Sequence, residues 1–136
     1  ETTRHTLSGG TAELSRHPQL VVMGDFNIAP DDRDVPDAAV WNDNHILTST
    51  AERAGLQALL DLGLHDAFRL KHQDAGIFSW WDYRAAGFRR NYGLRIDLNL
   101  VSDALAARLD DAGIDREPRT WERPSDHAPA WIALAG

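Results

Sequence analysis

No cysteine occurs anywhere in the 136 residues. Disulfides and thiolate metal sites are thereby excluded, and the composition mildly favours a cytoplasmic home. No apolar run approaches the ~20 residues that carry a helix across a bilayer, so no transmembrane helix and no membrane partner are expected. Glu1 to Gly10 lacks the basic-then-apolar pattern of a signal peptide. A starting Met is also lacking, and the chain is expected to be processed, trimmed or partial. Acids are missing from one stretch. Residues 84 to 95 hold Arg84, Arg89, Arg90 and Arg95 with no Asp or Glu among them.

What is present bounds the chain to at most one modest domain. A hydrophobic share of 43% and a charged share of 26% are ordinary for a globular protein. The net charge of −7 argues against passive adhesion to nucleic acid, where clustered Lys and Arg supply most of the affinity. The arginine-rich stretch, with a looser group at Arg116, Arg119 and Arg123, leaves two readings open. It is either a solvated surface or a local grip on a phosphate backbone.

Leu20 to Met23 reads as a buried strand. Residues 28 to 46, rich in Pro, Asp and Asn, read as a long loop. Thr48 to Leu62 is the best helix: Ser49 or Thr50 caps it, Leu56, Leu59 and Leu60 form a stripe, and Gly63 stops it. Thr11 to His17 reads as the tail of another helix. Phe78 to Tyr83 looks like an aromatic strand and Arg84 to Gly93 a basic loop. Leu94 to Ser102 is a strand and Asp103 to Leu109 a short helix. Asp111 to Pro124 reads as irregular, and Ala130 to Leu134 is the last strand. Strands alternating with helices point to a layered α/β domain.

Three acidic constellations sit against strands. Gly24-Asp25-Phe26-Asn27 follows the first strand. In a continuing strand Asp25 and Asn27 would share one face. Asp25 can accept a proton or bind a hard cation, and Asn27 can donate to a phosphate oxygen or offer its carbonyl to a metal. The alternative is a turn, since both residues bond their own backbone after strands. Asp97 interrupts Leu94, Ile96, Leu98 and Leu100, on the face opposite those apolar residues. A buried carboxylate there must be partnered, either by an arginine or by a histidine that it orients. Ser125-Asp126-His127-Ala128-Pro129 supplies such a histidine before the last strand. Together Asp25, Asn27, Asp97, Asp126 and His127 suit metal-assisted phosphoryl transfer.

Four motifs in this order resemble the exonuclease/endonuclease/phosphatase superfamily, most closely its exonuclease III and abasic-site endonuclease branch. They are Gly-Asp-Phe-Asn at 24–27, Phe-Ser-Trp-Trp-Asp-Tyr-Arg at 78–84, Arg-Ile-Asp-Leu-Asn-Leu-Val-Ser at 95–102 and Ser-Asp-His-Ala-Pro at 125–129. The stretches Gly87 to Leu94 and Ile114 to Pro118 are similar to the bacterial exonuclease III type. The resemblance runs from about Leu20 to Leu134.

It implies the second half of a four-layer α/β sandwich over residues 20–136, with residues 1–19 poorly matched. It implies Mg²⁺, or Mn²⁺ in its place, held by Asp25, Asn27 and Asp126. It implies that Asp25 positions or deprotonates the attacking water and that Asn27 contacts the scissile phosphate. Asp97 would orient His127, which would polarise the phosphate. Trp80, Leu94 and Ile96 would wall a pocket for a flipped-out abasic sugar. Arg84, Arg89, Arg90 and Arg95 would meet the backbone of double-stranded DNA at abasic sites or 3′ ends. One of Trp80 and Trp81 is expected to be ordinary core.

The family's first half, with its strand-end Asn, its metal-binding Glu and its Tyr, has no counterpart in this sequence. The resemblance therefore implies a DNA repair nuclease whose N-terminal half lies on the same or another chain, and which is inactive or very weak without it. Asn99 stands where the family has an apolar residue and is expected to weaken its strand. Two further readings stay open: a phosphatase or phosphodiesterase on a non-DNA substrate, and a non-catalytic remnant that binds DNA or a partner half.

Overall fold

A computed structural model of the chain describes residues 16–135. The helix tail expected over Thr11 to His17 falls mostly outside them, as does most of segment 1–19. Strand β1, Val21–Asp25, pairs antiparallel with β5, Asp97–Ser102. On its other side β5 pairs with β2, Leu64–Asp66. Two antiparallel ribbons join this sheet: β3, Trp80–Trp81, with β4, Gly93–Leu94, and β6, Leu109–Ile114, with β7, Ala130–Leu134. Helices α1, Thr50–Leu60, α2, Ala67–Lys71, and α3, Asp103–Arg108, complete a layered α/β arrangement.

The sequence explains the layers. Leu98 and Leu100 of β5 point to one face, where Leu56 and Leu59 of α1 meet them with Leu64 and Ile28. Val101 points the other way, into a cluster with Leu105, Leu109, Ala112 and Ala67. A strand buried on both faces carries a near-continuous apolar run. Helix α1 starts at a capping box: Ser49 Oγ accepts from the Glu52 amide, and the Glu52 carboxylate accepts from the Ser49 amide and hydroxyl. Asn99 shares the face of Asp97 and borders the open space beside His127.

Three expectations need revision. The strand expected from Leu94 to Ser102 is two strands, broken at Arg95 and Ile96. The strand expected from Phe78 to Tyr83 forms ladder pairs only at Trp80 and Trp81. The segment expected to be irregular from Asp111 starts inside β6, which pairs with β7 through a register shift between Leu109 and Asp111. Its Asp110 and Asp111 face solvent at an edge, so the sequence shows little of the apolar alternation that marks a strand. The loop over 28–46 has no strand, but it is not loose. A turn of 3₁₀ helix at Asp32–Asp34 closes on itself through Asp31, and the Ala29 amide bonds Leu47 O at 2.9 Å.

That loop is held from below by buried charge. Arg95 is 1% exposed and Asp34 is fully buried. Arg95 Nε donates to Asp34 Oδ1 at 2.6 Å, and the guanidinium forks onto Asp66. Arg69 donates to the same Asp34 oxygen. Bidentate, charge-assisted pairs of this kind fix geometry as well as energy. Removing one member strands its partners in a low dielectric. Asp34→Ala is therefore expected to destabilise the chain by about 3–5 kcal/mol, seen as a lower urea midpoint. A loss below about 1 kcal/mol would show that Asp66 alone satisfies Arg95.

Candidate active site

Register places the first two acids. In the β1–β5 ladder Asp25 lies opposite Asp97, so two carboxylates end neighbouring strands side by side. Gly24 precedes Asp25 with φ +146°, a backbone conformation that a side chain would strain. Asp25 then closes a turn: its Oδ1 accepts from the Asn27 amide at 2.9 Å, and Asn27 adopts φ 53°. Asn27 thus leaves the strand, and the turn alternative holds for its backbone. Its side chain remains exposed beside Asp25.

The third constellation fills the space between the acids. The His127 ring donates from Nδ1 to Asp97 Oδ2 at 2.8 Å. A carboxylate only accepts, so this bond fixes the tautomer. Nε2 then faces Asp25 Oδ2 at 3.6 Å and Asp126 Oδ1 at 3.9 Å. Asp126 is oriented by Trp80, whose indole N–H donates to Oδ2 at 3.0 Å. Of the five residues expected in the centre, Asp25, Asp97, Asp126 and His127 meet around one imidazole, and Asn27 stands at the rim. A ligand atom from each of Asp25, Asp97 and His127 falls within 4.8 Å of the others.

Electrostatics follows from this crowding. Burial opposes charge on His127, yet the Asp97 hydrogen bond and the charges of Asp97, Asp25 and Asp126 raise its pKa above the ordinary 6.5. Burial likewise pushes the Asp97 carboxyl above its usual 3.8, with Asp25 adding to the rise, while hydrogen bonds from His127 and Ser79 work against it.

Ser79 is the residue that sequence reasoning missed. Fully buried, its hydroxyl oxygen accepts from the amides of Ile96 and Asp97, both at 3.0 Å. A small hydroxyl between Phe78 and Trp80 was the one available signal.

The residues expected to bind substrate divide. Trp80 and Leu94 line a cavity of about 420 Å³ with Trp41, Arg84, Arg90 and Tyr92. Arg84 and Arg90 are exposed there, Arg84 against Asp82 and Arg90 over the Tyr92 ring at 5.4 Å. Ile96 is 3% exposed and packs beneath this wall with Leu94. Arg95 departs from expectation. Its guanidinium is consumed by Asp34 and Asp66 inside the fold, so it offers no surface charge to DNA. Trp81 is the core tryptophan, fully buried against Phe88. A second open space of about 420 Å³ lies beside His127, lined by Met23, Asp97, Asn99, Ser125 and Ala130.

The raised His127 value has a signed consequence. Stability from the charged ring is fully present below pH 6.5 and is lost as pH rises through the higher folded value. The His127 ring is expected to titrate above 6.5 by NMR, and Asp97→Asn to move that titration down. An unchanged titration in Asp97→Asn would deny the pair its electrostatic role.

Comparisons with known proteins bear on the family and the fold. The sequence profile of the Endonuclease/Exonuclease/phosphatase family matches residues 4–127. Exodeoxyribonuclease III of Haemophilus influenzae is 45% identical over 125 residues, covering 88% of this chain and 47% of that protein. The exodeoxyribonuclease of Bacillus subtilis is 35% identical over 123 residues, covering 90% and 47%. Among solved structures, the 3′ phosphatase NExo from Neisseria, bound to a product DNA hairpin, superposes with a TM-score of 0.95 at 45% identity. That likeness covers 98% of this chain and 52% of the other. The chain spans about half the length of the relatives it matches. It belongs to the Endonuclease/Exonuclease/phosphatase family.

Proposed function

We propose that this chain carries the phosphate-hydrolysing centre of an exonuclease III-type DNA repair nuclease. Its substrate is double-stranded DNA, cut at abasic sites and trimmed from 3′ ends, and its place of work is the cytoplasm. Residues 20–136 form the C-terminal half of the nuclease domain, and an N-terminal half on the same or another chain completes it. The observation that carries this reading is the His127 ring, fixed on Asp97 at 2.8 Å with Nε2 turned toward Asp25 and Asp126. The half-length match to relatives and the exposure of Met23 at 62% beside the site support a second half packing on that face.

The donor set fits a hard divalent cation. The candidate ligands would be carboxylate oxygens and an amide carbonyl, donors that suit Mg²⁺, which is usually held through one or two carboxylates together with substrate phosphate. Asp25 and Asp126 would hold it, with Asn27 alongside, and Mn²⁺ could replace it. When bound, the ion supplies positive charge against the developing oxyanions.

The chain's own residues do the rest. Asp25, with one oxygen tied to the Asn27 amide, keeps Oδ2 to orient a water and take its proton. Asn27 donates its side-chain N–H to a phosphate oxygen. Asp97 keeps the His127 proton on Nδ1 and favours the charged ring, which polarises the phosphate. Trp80 and Leu94, backed by Ile96, face the sugar of the extruded nucleotide, while Arg84 and Arg90 meet the backbone.

In the completed protein, His127→Ala is expected to lower cleavage of a duplex with a synthetic abasic site by at least about 100-fold. Asp97→Asn should also be severe, while binding to the uncut duplex persists. The isolated chain should release no product in Mg²⁺. Near-normal cleavage by His127→Ala, or full activity of the isolated chain, would overturn the assignment.

A further inference from the structure

Arg119 looks in the sequence like one more surface arginine between Arg116 and Arg123. It is 7% exposed. Its guanidinium lies 4.6 Å from the Phe88 ring centre, 5.6 Å from Tyr83 and 5.7 Å from Trp81. Among the described residues no carboxylate pairs with it, and its Nε has no partner. A buried cation without an acid is costly, and three aromatic faces offset part of that cost. An apolar side chain would fill such a cage more cheaply. What the guanidinium adds is one charge-assisted hydrogen bond: Nη1 donates to Ser125 O at 3.1 Å.

Ser125 opens the turn that carries Asp126 and His127. The preceding carbonyl is also gripped, with Tyr83 Oη donating to Pro124 O at 2.7 Å. From there the turn is held by its own backbone and β3. The His127 amide donates to Ser125 Oγ at 3.1 Å, Trp81 N to Asp126 O at 3.1 Å, and Ala128 N to Ser79 O at 2.7 Å. Arg119 and Tyr83 supply the side-chain bonds to its two leading carbonyls. Without them the turn would keep its bonds to β3 and the His127–Asp97 contact, but its two leading carbonyls would lose their side-chain anchors.

We propose that Arg119, assisted by Tyr83, is a positioning residue that clamps the Pro124–Ser125 carbonyls and so sets where His127 meets Asp97 and the substrate phosphate. This rests on the hydrolytic role of His127 proposed above. Small displacements of a catalytic group cost turnover far more than binding. Arg119 therefore acts on kcat, whereas a DNA-contacting arginine would act on KM.

The test compares Arg119→Met, Arg119→Lys and Tyr83→Phe with the unaltered completed protein. Arg119→Met is expected to lower kcat by about 100-fold with KM for abasic duplex held within about twofold. Arg119→Lys keeps a cation over Phe88 and a donor for Ser125, and should recover most of the loss. Tyr83→Phe loses a single O–H from a 62% exposed side chain, leaves folding intact, and should lower kcat by about tenfold.

Two readouts are independent of DNA. In Arg119→Met the His127 Nδ1 proton signal should broaden, and the Ala128 amide should exchange faster, while the Leu56 and Leu59 amides of α1 keep their protection. A rise in KM at constant kcat would make Arg119 a DNA contact and overturn the proposal. So would an unchanged His127 signal, or faster exchange spread equally over α1. If the unaltered protein cuts no DNA, the nuclease reading falls, and the proton signal and exchange pattern decide the clamp on their own.

Discussion

The short break between β4 and β5 is the constraint on which the rest of the molecule depends. At Arg95 and Ile96 the strand leaves its ladder, and each backbone donor there finds a substitute partner. Arg95 N bonds Asp34 O at 3.1 Å, and the amides of Ile96 and Asp97 share the Ser79 hydroxyl. Ile96 O takes the Phe26 amide at 2.9 Å. Buried amides left unmet would cost about 1–3 kcal/mol each. Satisfied this way, the break ties four segments together: β1, the 28–46 loop, the segment leading through Ser79 into β3, and β5. It also sends Arg95 inward to its acids and Asp97 toward the site.

Charge is distributed by the same device. The inward side collects Arg95, Arg69, Asp34 and Asp66 in a compensated network, so the fold carries these ions without a net field. On the other side Asp25, Asp97 and Asp126 converge on a single imidazole. One proton-bearing ring cannot neutralise three carboxylates. The surplus of negative charge raises the affinity of the ring for its proton and makes the cluster a natural counterpart for a cation. A globally acidic chain can therefore gather acids around one histidine, with exposed Arg84 and Arg90 nearby.

Much of this was legible because the informative residues are rule-breakers. Asp97 among leucines, the cap at Ser49 with Glu52, and a histidine next to an acid before a strand each announce themselves locally. Ordered motifs then fixed the family. What escaped was decided by long-range register. No local pattern shows that Arg95 meets Asp34, 61 residues earlier, or that Arg119 is caged by Phe88 and Tyr83. An arginine reads as solvated until its partners are known. Strand β6 escaped because its exposed acids mask the pairing with β7. Ser79 escaped because a small hydroxyl between aromatics looks like filler.

The tethered 28–46 loop has one further consequence. A loop of this length beside a cavity would ordinarily be an ensemble that any ligand there must freeze. Here Asp34 and Asp31 pin its first half, and Trp41 packs against the Leu94 and Ile96 cluster. A ligand entering the space between Trp41 and Trp80 finds walls already in place. Association there forfeits little conformational entropy, and its rate should be governed by diffusion and charge rather than by waiting for a rare open form.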